Sequence, residues 1–186
     1  RHYLLSYLHN LNEFVELDKL GSSHWQYRKA SAKNKINEIA GVLIKTAAER
    51  SVNKAPLFRT QEPHYSNFLR EFDHVDTEDQ INATSEILND INSGMPMDRL
   101  ICGDVGYGKT EVALRAAFNV AMNDFQVAFI VPTTLLSNQH YNNFVERFRN
   151  FPINVCQLSR LVNKSEAAKN IEMINSGEAN IVVGTH

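Results

Sequence analysis

From Trp25 onward, Ala32, Ile36, Ile39, Ala40, Leu43 and Ala47 recur at steps of three and four, which gathers them on one face of a helix. Arg28, Lys29, Lys33, Lys35 and Lys45 fall on the other face, and Ser22 and Ser23 stand where helix caps belong. One long amphipathic helix is therefore predicted, ending before Pro56. Its basic face reads either as a solvated surface or as a surface for phosphates. Ahead of it, Leu4, Leu5, Tyr7, Leu8 and Leu11 mix with turn formers without a clean period. Behind it, residues 52–66, with Asn53, Pro56, Gln61, Pro63 and His64, read as a linker.

After Phe72 the pattern changes. Thr77-Glu78-Asp79-Gln80 has the form of a capping box, a cap hydroxyl with a Gln three residues later. It predicts a helix to about Asn92, closed by Ser93-Gly94. Beyond it, short apolar runs alternate with helical periods. Strands are predicted at Arg99–Cys102, Gln126–Val131, Ile153–Leu158 and Asn180–Val183. Helices are predicted from Lys109 to about Asn123, from Leu135 to Arg149 and from Lys164 to Asn175. Such alternation implies crossover units and a parallel sheet covered on both faces, a three-layer α/β core over about residues 66–186.

Composition narrows the class. The 186 residues suffice for one domain with an appendage, and 43% hydrophobic with 22% charged residues excludes gross disorder. No run of about 18 apolar residues offers a membrane span. The first residues lack a basic segment followed by an apolar stretch, so the cytoplasm is the expected compartment. Cys102 and Cys156 fit no metal or redox spacing and read as small buried residues. With 19 basic and 21 acidic residues the net charge is −2, so nucleic acid would not be held by bulk charge. DNA contacts would be local. The apolar run Ile181-Val182-Val183 stops just short of His186, and domains rarely end at a strand, so both ends are expected to be truncations.

The strongest chemical signal is Gly103-Asp104-Val105-Gly106-Tyr107-Gly108-Lys109-Thr110, which fits G-x-x-x-x-G-K-[ST] without mismatch. Glycines let the backbone turn its N–H groups around phosphate oxygens, and the helix opening at Lys109 aims its positive end at the same anion. Lys109 is expected on the β- and γ-phosphates of ATP and the Thr110 hydroxyl on Mg²⁺. Tyr107 occupies a variable position of the loop and is given no chemistry of its own.

The stretch from Pro96 to Ala113, PMDRLICGDVGYGKTEVA, closely resembles the bacterial transcription-repair coupling factors. That resemblance continues through Val131-Pro132-Thr133-Thr134-Leu135-Leu136, Gln139-His140-Tyr141 and Gly184-Thr185-His186, which look like helicase motifs I, Ia and Ic in order. It implies a RecA-like P-loop motor domain, preceded by a long helical arm, of a superfamily 2 double-stranded DNA translocase. Such a protein displaces stalled RNA polymerase and recruits excision-repair proteins. Asp18-Lys19-Leu20-Gly21 and Trp25 resemble the family's junction between a polymerase-interacting domain and the motor. The implied domains are a remnant of that domain over 1–24, a relay helix and linker over 25–58, and the first motor domain over 59–186.

The same resemblance implies roles for single residues. Gln80 looks like the adenine reader of a Q-type motif, and Phe72 reads either as its stacking partner or as core. Glu111 joins the nucleotide contacts. Pro132, Thr133 and Thr134 are expected on DNA phosphates, although the threonines also suit a helix cap. Thr185 and His186 are expected on the same edge, and Arg160, after Ser159, reads either as a DNA contact or as a surface residue. The acidic box and the arginines of a second motor domain are not in this sequence. Arginine fingers contribute roughly 10³–10⁵ in rate, so this chain alone is expected to turn over almost no ATP. The alternatives are a branch-migrating helicase like RecG, and a polymerase-binding module without activity.

Overall fold

A computed structural model describes residues 21–186; the apolar positions of the first twenty residues and the junction residues Asp18, Lys19 and Leu20 lie outside them. The chain divides into two units at Val52/Asn53.

In the first unit, helix α1 (Ser23–Val52) runs unbroken for 30 residues. The Trp25 N–H donates to Ser22 Oγ at 3.2 Å, which caps its start. None of its residues is buried within the chain, and the apolar face that the spacing predicted leaves Ile36, Ile39 and Leu43 exposed.

In the second unit the expected linker is not one. Ala55 N–H donates to Gly94 O and Phe58 N–H to Ile91 O, so this stretch is pinned along the following helices. Phe58 also meets Phe125 edge-on at 5.1 Å. Helix α2 (His64–Arg70) then forms where no helix was predicted, burying Tyr65 and Phe68. Seven residues with Tyr65, Phe68 and Leu69 as the apolar ones carry too little period to announce a helix, and packing supplies the difference.

Helix α3 (Glu78–Ile91) starts at the predicted capping box. The Gln80 N–H donates to Thr77 Oγ1 and the Thr77 N–H to Gln80 Oε1. There follow α4 (Lys109–Ala121), β1 (Val127–Ile130), α5 (Thr134–Phe148), β2 (Val155–Leu158), α6 (Lys164–Ser176) and β3 (Ile181–Gly184). The strands are parallel in the order β1-β3-β2, with Ile130, Gly184 and Leu158 level at their ends. The β1–α5–β2 and β2–α6–β3 crossovers run in opposite directions across the sheet. Right-handed connections therefore put α5 and α6 on opposite faces, and the three layers follow.

The predicted strand Arg99–Cys102 does not form: this stretch pairs with no described strand and Leu100 is 85% exposed. An apolar run becomes a strand only when a neighbouring strand takes its N–H and C=O groups. Cys102, expected to be buried in that strand, is exposed for the same reason, whereas Cys156 on β2 is buried and burial pushes its thiol pKa up.

The core lies between α2, α4, α5 and β3. Phe68 stacks on Phe118 at 4.4 Å and on Phe148 at 5.4 Å, while Phe144 meets Phe129 at 4.7 Å. Ile181 and Val183 of β3 close it from the sheet side. On the outer edge of β2, Asn170 of α6 donates to Gln157 O at 2.8 Å, satisfying a carbonyl that no described strand reaches.

Two outcomes are expected from this packing. Phe68→Ala removes the centre of the stack and lowers unfolding free energy by about 3–5 kcal/mol, read from the denaturant midpoint. His140 lies 5.1 Å from Phe129, and burial lowers its pKa. A depressed imidazole contributes stability above its unfolded pKa of about 6.5, and that contribution is lost as the pH falls. Melting curves between pH 7.5 and 5 should show such a fall, smaller in His140→Phe.

Candidate nucleotide-binding site and sheet edge

The P-loop owes its shape to two glycines. Gly106 (φ 88) and Gly108 (φ 71) both lie in the left-handed region, and Gly108 is the residue that caps α4. Because glycine offers no side-chain acceptor, the first turn of α4 is presented to an external anion rather than to its own cap. Lys109 folds back over the loop: its Nζ donates to Gly103 O at 2.6 Å and to Asp104 O at 2.7 Å. These exposed carbonyls hold the ammonium within the turn where a phosphate would compete for it. Thr110, half-buried, stands next in the same turn. Among the described residues no group of three or more His, Cys, Asp or Glu is arranged for a metal. A Mg²⁺ held at this loop would take the Thr110 hydroxyl, with oxygens of a bound nucleotide completing its shell.

The capping box at α3 reaches the same loop. Beyond its bond to the Thr77 N–H, Gln80 uses Nε2 to donate to Tyr107 O at 3.2 Å. A cleft of about 480 Å³ opens here, lined by Phe72, His74, Thr77, Gln80 and the loop from Val105 to Gly108. A second cleft of about 380 Å³ adjoins it through Thr77, Gln80 and Tyr107 and takes in Gly103, Asp104 and Lys109. Phe72, Gln80 and the P-loop are thus brought together. Phe72 is half-buried; besides lining the cleft, its ring lies 5.3 Å from the Arg115 guanidinium and 6.0 Å from that of Arg147.

Glu111, expected beside the nucleotide, lines neither cleft. It is buried, and its Oε1 accepts from Arg115 Nε at 3.0 Å and from Arg147 Nη2 at 2.9 Å. Arg115 also grips Asp76 through Nη1 at 3.0 Å and Nη2 at 2.7 Å. Burial alone would lower the Arg115 pKa, but its hydrogen bonds to the two carboxylates outweigh that and raise it. Asp76, Arg115 and Arg147 carried no sequence signal beyond the i,i+4 spacing of Glu111 and Arg115.

The other candidates gather along the carboxyl edge of the sheet. Thr133 caps α5 by accepting the Leu136 N–H at 3.2 Å, and Pro132 and Thr133 are exposed directly after β1. Thr134, half-buried, opens the helix itself. The ladder continues past the strands: Val131 N–H donates to Gly184 O at 2.9 Å and Thr185 N–H to Leu158 O at 3.2 Å. Register therefore sets the Pro132–Thr134 turn, the half-buried Thr185 with exposed His186, and the Ser159–Arg160 turn in one row. Arg160 is exposed, while the Ser159 hydroxyl accepts from Gln157 Nε2 and the Leu161 N–H and so shapes the turn.

Comparison with known proteins agrees with the α/β fold. The DEAD/DEAH box helicase family matches residues 77–186. A transcription-repair-coupling factor of Rickettsia bellii is 48% identical over 179 residues, covering 94% of this chain and 16% of that protein. The Bacillus subtilis protein of the same name is 44% identical over 92% of this chain and 14% of its own length, and that of Haemophilus influenzae 40% identical over 100% and 16%. The chain thus spans about a sixth of these relatives. A solved structure of RecG bound to a three-way DNA junction superposes with a TM-score of 0.71 at 37% identity, over 76% of this chain and 20% of that one.

Gly184 tests the edge. A Cβ there would lie 2.8 Å from Leu158 O, so the β2 or β3 backbone must move to admit it. Gly184→Ala is expected to cost about 1–3 kcal/mol, and to shift the amide NMR signals of Thr185 and Ser159 more than those of Gly106 or Gly108.

Proposed function

Because the chain belongs to the DEAD/DEAH box helicase family, we propose that it is the nucleotide-binding part of an ATP-driven double-stranded DNA translocase of the transcription-repair coupling kind. The longer protein would displace a stalled RNA polymerase and bring excision-repair proteins to the site. The observation that carries the reading is the join between Gln80 and the P-loop at Tyr107 O, with Phe72 on the same cleft. The relatives' shared name supports the coupling role.

In this reading Lys109 leaves the Gly103 and Asp104 carbonyls for the β- and γ-phosphates of ATP, and the first turn of α4 stabilises the same charge. Gln80 reads the adenine edge and Phe72 packs on its face. The Thr110 hydroxyl contributes to holding Mg²⁺, which when bound neutralises the charge that develops on the phosphates. Pro132, Thr133, Thr134, Arg160, Thr185 and His186 take DNA backbone phosphates along the carboxyl edge, without sequence preference. Residues 25–58 act as the relay between a polymerase-binding part and the motor over 59–186. Hydrolysis belongs to the longer protein, because this chain supplies the phosphate cradle without the arginines of a second motor domain.

A RecG-like branch-migrating helicase is the second reading, favoured by the 37% identity and TM-score of 0.71 to the RecG structure. One experiment separates them: ATP-driven release of a stalled RNA polymerase from DNA by the full-length protein that carries this chain. Release that disappears in Lys109→Ala, with ATPase activity down on the order of 10²-fold or more, is the expected result. ATP-dependent remodelling of branched DNA without polymerase release favours the second reading.

A further inference from the structure

Two of the side chains that line the base cleft, Phe72 directly and Gln80 through the chain, connect to one buried arginine. Arg115, 2% exposed on α4, fixes Asp76 with both terminal nitrogens, and Asp76 is bonded through the chain to Thr77, the cap on which Gln80 turns. Its guanidinium also stands 5.3 Å from the Phe72 ring centroid. Its third donor, Nε, goes to Glu111, two residues after Lys109 in the same helix. Glu111 in turn holds Arg147 of α5.

We propose that Arg115, clamped between Asp76 and Glu111, is a positioning residue for recognition of the nucleotide base. It sets the distance between the Phe72–Gln80 wall and the P-loop, and so determines how strongly adenine is preferred over guanine. The inference rests on the nucleotide reading of the cleft but concerns residues that do not touch the nucleotide. A planar guanidinium with three of its nitrogens engaged cannot rotate without breaking a charge-assisted bond, whereas an ammonium at the same place has no fork geometry to impose. Selectivity between bases follows from whether a donor and an acceptor are held in register with the base edge, so small displacements of Gln80 act on specificity first.

The test uses the full-length protein with Asp76→Asn, Asp76→Glu and Arg115→Lys, and measures KM and kcat for ATP and for GTP, with melting temperature alongside. Asp76→Asn leaves the Arg115–Glu111 pair intact and is the variant expected to fold normally. Its ATP preference over GTP should fall about tenfold, mainly through KM for ATP. Arg115→Lys should lose at least as much, and Asp76→Glu should recover part of it. A lower melting temperature with the ATP-to-GTP ratio unchanged would mean that the cluster only holds the fold, and the inference is overturned. If the wild type prefers ATP and loses activity in Lys109→Ala, yet Asp76→Asn keeps the preference, the inference fails alone. If the wild type shows no base preference, or Lys109→Ala changes nothing, the nucleotide reading falls and this inference with it.

Discussion

Glu111 is buried at 6% exposure in the first turn of the P-loop helix, and a carboxylate removed from water there is compensated by the two guanidinium groups that reach it. Removing an ion from water costs several kcal/mol, and the cost is offset only when charges and hydrogen bonds are matched. Here Asp76 and Glu111 balance Arg115 and Arg147, so the cluster is neutral as a whole. The Nη1 of Arg147 has no hydrogen-bond partner among the described residues. Its guanidinium instead lies 3.8 Å from the Phe68 ring centroid, a cation–π contact in a site screened from water. The charged cluster and the aromatic core are thus one structure, joined at Phe68.

That arrangement fixes relationships that the sheet alone would not. Helix α4 carries the phosphate loop, α5 opens at the exposed Pro132–Thr133 turn, and Asp76 leads into the cap of α3. The Glu111 cluster ties all three together through side chains, while the aromatic stack of Phe68, Phe118 and Phe148 ties α4 and α5 to α2 through their apolar faces. Phosphate cleft and sheet edge consequently share a rigid support. A displacement of α5 would have to break either a buried ion pair or the stack, and both have steep penalties.

The carboxyl edge shows a different economy. Its candidate residues are mostly exposed, and their alignment comes from backbone hydrogen bonds that run one residue past β1 and β3. Gly184 permits this because the Leu158 carbonyl occupies the space a side chain would need. Parallel strands place all their carboxyl ends together, so turns far apart in sequence become neighbours there.

Much was legible in the chain itself. The capping box at Thr77 and Gln80, the glycines at 106 and 108 and the cap at Thr133 depend on local backbone preferences, and local preferences are written in adjacent residues. The three strands after Gly108 have strand composition and also find one another as partners. Helix α2 and the pinned segment before it were not legible, because Tyr65 and Phe68 acquire meaning only against Phe118 and Phe148. The Arg99–Cys102 run has strand composition, yet strand formation requires a partner ladder that composition cannot supply. Glu111 stands next to the phosphate loop in sequence, and helix rotation turns it away toward arginines at 115 and 147. Local structure follows from short-range sterics and hydrogen bonding, which the sequence determines by itself. Which charges meet, which strands pair and which side of a helix faces a ligand are decided by long-range packing, and only the tertiary structure contains that.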